Sequence, residues 1–314
     1  MPAKLTLFPS EGASRHFVLR EGASYSLGRD PGSDLVLDDP RISALHARLR
    51  SRGAEWLLLD LQSKNGSFVN AVRVTEASLQ SEDWVNFGGL LARFELVSEA
   101  EVEHLRFERT RRLQTFTEAR RILDKNLEPR ALLSRLIGSV LELTGAEHGF
   151  LLLLTPDGRL CAEVVAGFAA EGALDERFNG SLGAIERVLR TGRSVVTSNA
   201  KADAYLGRRP SVVEMGIETL ACVPLRADEQ TAGLIYVDGR KRGGVFTDLD
   251  LEILEALSEH AAVAVAGLRL DRRIRELVGA PAPETSFASR NFFDEFERRV
   301  GEVARAAVPR PSTP

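Results

Sequence analysis

The stretches "LGRDPGSDLVLDDPRISALHARL" (residues 27–49) and "SKNGSFVN" (residues 63–70) decide how the first third of this chain is read. Arg29, Ser43, His46, Lys64 and Asn65 fall at turns between short apolar-alternating runs such as "LVL", "EWLLLDL" and "SFVN". Three chemistries put such residues at turns: a catalytic constellation, a docking site for an anion, or the turn geometry itself. Asn-Gly at 65–66 supplies the positive φ angles of a tight hairpin without any further role. Ser43 and His46 have no placed acid to complete a nucleophilic triad, so no catalytic residue is assigned.

Outward from these stretches, residues 1–98 hold many short runs rich in β-branched, aromatic and aliphatic residues, among them "KLTLF", "HFVLR", "WVNF" and "ARFELV". Gly, Pro, Asp, Asn and Ser separate them at close intervals, which predicts an all-β sandwich over 1–98. The composition changes at Glu99. Residues 99–125 are dense in helix formers and predict a helical connector, in which Arg109 and Arg112 interrupt the stripe Leu105, Phe116, Ala119 and Leu123. After Pro129 a second helix sets Leu132, Leu136, Val140 and Leu143 on one face.

Residues 126–278 then mix strands and helices. "GFLLLL" and "RLCAEVVAGF" read as a hairpin about "TPDG", "SLGAIERVLRTGR" as a short helix closed by Gly192, and "ETLACVPLR" and "AGLIYVDGR" as two more strands about "ADEQT". A long terminal helix follows, with Thr247 and Asp250 spaced as a capping box. The fold class is therefore multidomain: an all-β sandwich, then an α+β domain with an antiparallel sheet and flanking helices. Residues 279–314 read as a linker and a short amphipathic tail helix through Phe293, Phe296, Val300 and Ala304.

Bulk composition excludes some partners. A formal net charge of −4 gives no general affinity for nucleic acid or a membrane surface. The two cysteines, Cys161 and Cys222, form neither a metal spacing nor a disulfide framework, which points to a reducing, cytoplasmic setting. The longest apolar runs are too short to cross a bilayer, and no signal-peptide core opens the chain. No metal site and no cofactor follows from the residues.

Phosphate calls for a cation, short hydroxyl donors and backbone amides on convergent loops, and one end of a β-sandwich supplies such loops. "LGR…RISALHARL…SKNGSFVN…WVNFG" resembles the forkhead-associated (FHA) domain, a phosphothreonine-peptide reader, over nearly all of residues 1–98. The resemblance implies that Arg29 and Ser43 bind the phosphate, that Lys64 adds a phosphate contact, and that Asn65 clamps the peptide backbone. Gly28, His46, Gly66 and Asn70 would brace the loops. Ala44 departs from the family by lacking a polar side chain, and Ser67 replaces the commoner threonine.

"LLSRLIGSVLELTGAEHGFLLLLTPDGRL" and "IETLACVPLRADEQTAGLIYVDGR" followed by "VFTDLDLEILEALSEHAAVAVA" are similar to the two ends of a GAF domain. The resemblance implies a small-ligand pocket and dimerisation through terminal helices. The cyclic-nucleotide set of that family breaks at Leu251, and no cysteine or histidine is placed for bilin or haem, so the ligand stays unassigned. The combined expectation is a non-catalytic bacterial signalling adaptor or sensor. It would dock on a threonine-phosphorylated protein, a serine/threonine kinase or its substrate, and form a homodimer through helices 99–125 and 249–278. The alternative is the sensory partner of a transcription-activation system, since no P-loop, cyclase-like stretch or DNA-reading helix pair follows residue 278.

Overall fold

Alternate residues of "ARLRSR" (Ala47–Arg52) are buried and exposed, so one face of this strand must be covered by a second layer. The computed structural model describes residues 1–278 apart from 10–11, 54, 124–127, 156–159, 168–179, 202, 204, 210–211, 214–215, 228–229 and 241–245. The turn residues expected at 156–158, part of the "ADEQT" turn, and the linker and tail helix expected over 279–314 lie outside the described residues. The chain divides into two compact units, Met1–Arg111 and Arg112–Pro314.

In the first unit the strands run β1 (Ala3–Phe8), β2 (Arg15–Leu19), β3 (Ser24–Gly28), β4 (Leu35–Val36), β5 (Ala47–Arg52) and β6 (Glu55–Asp60). They continue as β7 (Ser67–Val69), β8 (Val72–Val74), β9 (Glu76–Leu79), β10 (Asp83–Phe87) and β11 (Leu90–Leu96). One sheet has the order β2-β1-β11-β10-β7-β8 and the other β4-β3-β5-β6-β9, which is the expected sandwich. Leu5, Leu49, Trp56, Leu58, Phe87 and Phe94 fill the space between the sheets and are essentially inaccessible. Each large apolar side chain so buried contributes about 1.5–3 kcal/mol. β9 is absent from the sequence reading. Its "EASL" is short and polar, and only Leu79, paired across from Trp56, turns inward. The helix α1 (Glu99–Leu123) follows β11.

The second unit contains α2 (Pro129–Thr144), β12 (His148–Leu154), β13 (Leu160–Ala166), α3 (Leu182–Thr191) and β14 (Val195–Thr197). It closes with β15 (Thr219–Ala227), β16 (Gln230–Gly239) and α4 (Asp248–Val278). The sheet order is β13-β12-β16-β15-β14, antiparallel throughout. α2 and α4 pack together and against the sheet. α3 covers a core of Phe150, Leu152, Leu220, Cys222, Leu234 and Tyr236. α2 begins with Pro129 after Glu128, whose carboxylate accepts from the Ala131 amide, and ends at left-handed Gly145. Its expected face is buried at Leu132, Leu136, Val140 and Leu143. The short edge strand β14, "VVT", was too brief to register as a strand in the sequence.

Thr247 and Asp250 form a reciprocal cap at the start of α4. The Thr247 amide and hydroxyl donate to Asp250 Oδ2 at 2.8 and 2.7 Å, and the Asp250 amide donates to Thr247 Oγ1 at 3.3 Å. Arg112 donates to the same carboxylate at 3.0 and 3.1 Å. This accounts for one of the two arginines that break the stripe of α1: it is the counter-ion of a carboxylate that is only 2% exposed. Burial pushes the Asp250 carboxyl above its ordinary range, while Arg112 and the Thr247 bonds pull against that shift. Arg112→Met therefore leaves a buried carboxylate without its cation and should destabilise the second unit by roughly 3 kcal/mol. Urea unfolding followed by circular dichroism measures this, and an unchanged midpoint would refute the role.

Candidate functional site

A buried histidine joins the two stretches quoted first. His46 precedes β5 and has no accessible surface. Its Nδ1 accepts from the Ser43 amide at 3.2 Å, and its Nε2 stands 3.3 Å from the Gly66 carbonyl oxygen. An acceptor at Nδ1 places the proton on Nε2, which donates to Gly66, so the ring is neutral with a defined tautomer. One imidazole thus fixes the backbone of both loops.

Further bonds draw the loops together. The Lys64 amide donates to Ser43 Oγ at 3.0 Å, the Arg29 amide to the Ser43 carbonyl at 2.9 Å, and the Asp30 amide to the Ala44 carbonyl at 3.0 Å. Asn65 Nδ2 donates to the Arg41 carbonyl at 2.7 Å. Arg29, Ser43, Lys64 and Asn65 are consequently on adjacent segments, with Ser43 partly buried and the other three exposed. Gly28 is needed by close approach, since a Cβ there would overlap the Ala44 carbonyl oxygen. Asn70 sits further off. It takes the Trp84 amide at 3.0 Å and donates to Asp83 at 2.8 Å, tying the β7–β8 turn to β10.

The sequence reading passed over several residues that shape this surface. Asp60, at the end of β6, accepts from the Ser63 hydroxyl at 2.6 Å, the Ser67 hydroxyl at 2.7 Å and the Ser63 amide at 3.0 Å. Burial opposes its ionisation, but the bonds from Ser63 and Ser67 outweigh burial and hold it below the usual carboxylate range. Ser67 therefore fills a structural role through its hydroxyl. Gly88, in left-handed conformation, donates its amide to the Gly66 carbonyl at 3.0 Å. A Cβ on Gly88 would lie 2.7 Å from the Arg41 carbonyl oxygen and 3.1 Å from His46 Cε1. Arg41 is clasped by Asp39, with Nη2 to Oδ2 at 2.7 Å and Nε to Oδ1 at 2.9 Å. "FGG" at 87–89 was the available signal for Gly88, whereas the acceptor role of Asp60 depends on a fold that no local pattern displays.

In the second unit, His148 and His260 each have a hydrogen-bond partner. His148 Nδ1 is 2.9 Å from Asp238 Oδ1, and His260 Nδ1 is 2.8 Å from the Ala256 carbonyl of its own helix. Asp238 Oδ2 accepts from the Tyr236 hydroxyl at 3.0 Å, and that hydroxyl accepts from the Ser181 amide at 2.8 Å. This buried relay anchors the start of α3. Cys222 is buried in β15, where burial pushes its thiol up out of the reactive range, and Cys161 is half-buried in β13. Among the described residues, no three of His, Cys, Asp and Glu cluster to hold a metal, and no helix is long and apolar enough to cross a membrane.

Burial pushes the His46 imidazole below its ordinary range, against the Gly66 carbonyl and Asp60, which favour the charged form. The unfolded chain then binds a proton that the native domain refuses, so the stability from His46 is complete above about pH 6.5 and is lost as pH falls below it. Denaturation between pH 7.5 and 5 should show this loss in the wild type and a flatter profile in His46→Gln. Parallel profiles would overturn the assignment of a neutral imidazole in the native domain.

Residues 25–88 match the FHA domain family and residues 126–266 match the GAF domain family. The glycogen accumulation regulator GarA of Mycolicibacterium smegmatis is 37% identical over 86 residues, covering 27% of this chain and 54% of that protein. The FHA domain-containing protein FhaB of Mycobacterium tuberculosis is 40% identical over 76 residues, 21% of this chain and 49% of that one. This chain thus spans about half the length of the curated relatives it matches. A solved structure of the FHA domain of the CT664 protein from Chlamydia trachomatis is 28% identical, with 31% of this chain and 100% of that chain covered and a TM-score of 0.30. The chain therefore carries an FHA domain followed by a GAF domain.

Proposed function

We propose that this protein is a regulatory adaptor that docks on threonine-phosphorylated proteins through Arg29, Ser43, Lys64 and Asn65. The observation that carries the reading is the 3.0 Å bond from the Lys64 amide to Ser43 Oγ. Because that oxygen already accepts, the Ser43 hydroxyl proton is left to donate to a phosphate oxygen. Arg29 supplies the delocalised cation, and Asn65 keeps its amide oxygen for a peptide N–H. Ala44 contributes only its carbonyl, to Asp30, so less of the peptide main chain is held from that position. The relative named as a regulator of glycogen accumulation supports a regulatory role. A serine/threonine kinase or its substrate is the partner class that presents phosphothreonine.

Loss of Arg29 removes a charge-assisted contact of roughly 2 kcal/mol, about a thirtyfold change in affinity. Calorimetry with matched phosphothreonine and unmodified peptides should show binding of the phosphorylated form alone, weakened about thirtyfold by Arg29→Ala. Equal binding of both peptides by both proteins would dispose of the reading.

For the GAF domain we propose a homodimer through α4. The inward stripe of α4, Leu254, Leu257, Ala261 and Val265, is buried, with Leu268 half-buried below it. A second stripe supports the reading instead. Val263, Leu270, Ile274 and Leu277 are 76%, 63%, 50% and 83% exposed. With Gly267 they keep the alternating four-and-three spacing of a coiled-coil seam. Light scattering at tens of micromolar should give twice the monomer mass for the wild type and the monomer mass for Ile274→Glu. A monomeric wild type would refute this assembly.

A further inference from the structure

We propose that Arg73 selects phosphothreonine segments with an acidic side chain beside the phosphorylated residue; this rests on the docking function proposed above. Arg73 lies in β8, paired across the hairpin with Phe68, and is exposed. Its guanidinium lies over the Cα of Gly66: a Cβ built there would be 2.8 Å from Nε, 3.1 Å from Nη2 and 3.2 Å from Cζ. Gly66 is held through its carbonyl by His46 and Gly88, so Arg73 rests on the most firmly tied residue of the Lys64–Asn65–Gly66 turn. A guanidinium packed in this way has lost part of the freedom that a solvated arginine keeps, and less remains to be lost when it binds.

The charge balance around the turn gives the ligand class. Asp39 neutralises Arg41, and Asp30 Oδ1 accepts from the Gly32 amide at 2.7 Å. Arg29, Lys64 and Arg73 have no side-chain hydrogen bond or ion pair among the described residues. A phosphothreonine carries about −1.5 to −2 charges at neutral pH, which Arg29 and Lys64 balance. The cation left over is Arg73, displaced from Ser43 toward the β7–β8 hairpin. Asp or Glu beside the phosphothreonine is the group that would match it, and a lysine or arginine there would be repelled.

The test uses the full chain and phosphothreonine peptides with alanine flanks, into which one Asp is scanned across the neighbouring positions. At one or more positions, Asp should tighten binding to the wild type by about three- to fivefold. Arg73→Gln should abolish that gain while binding the all-alanine phosphopeptide within about twofold of wild type, and Arg73→Lys should restore part of it. A thermal melt checks that each variant is folded. A gain that persists in Arg73→Gln, or no gain at any position in the wild type, overturns the assignment. So does equal weakening of the all-alanine phosphopeptide, since Arg73 would then serve the phosphate itself. If wild type fails to prefer the all-alanine phosphopeptide over its unmodified form, the docking function falls first and takes this selectivity with it.

Discussion

The buried imidazole of His46 is the constraint on which the candidate site depends. A single ring accepts from Ser43 at one nitrogen and donates to Gly66 at the other, so the loop leading into β5 and the loop leading into β7 cannot move independently. The bonds from Lys64 to Ser43 and from Asn65 to Arg41 then close the same gap from outside. Loops are ordinarily the mobile part of a sandwich. Here their backbone donors and acceptors are turned to one another before any ligand arrives, and less ordering remains to be done on binding.

The GAF domain is organised by a different device, the buried carboxylate. Asp250 caps α4 and takes Arg112, and Asp238 takes His148 and Tyr236. Both satisfy their oxygens with partners distant in sequence as well as local ones, so each specifies a tertiary arrangement. A buried carboxylate gives little net stability but penalises any packing in which its partners are missing. That distinguishes it from the apolar cores, where substitution of one aliphatic residue by another is tolerated.

Much of this was legible in the chain. Alternation in "ARLRSR", the turn residues of "SKNGS", and the 3–4 spacing of Leu132, Leu136, Val140 and Leu143 are local patterns with local causes. The Thr247–Asp250 cap was equally visible. What escaped was settled by pairing at a distance. β9 and β14 become strands because Trp56 and Cys222 lie opposite them, and Arg112 breaks an apolar stripe only until Asp250 is placed beside it. In α4 the period was visible but the face was not. The inward stripe and the outward one both recur at helical spacing, and only the position of the sheet tells them apart.

The same distinction bears on charge. From sequence, Arg29, Arg41, Lys64 and Arg73 are four cations near two turns, and nothing local ranks them. The fold ranks them by what each already holds. Asp39 takes both the guanidinium and the backbone amide of Arg41, making that arginine part of the loop's framework. The carbonyl of the same residue serves Asn65. Arg29 and Lys64 contribute backbone amides to the frame while their charged ends stay uncommitted, and Arg73 contributes packing alone. The docking proposed for Arg29 and Lys64 would therefore bring an anion to cations whose main chains are already fixed. The electrostatic attraction is set in position by hydrogen bonds that involve no charge on the cations themselves.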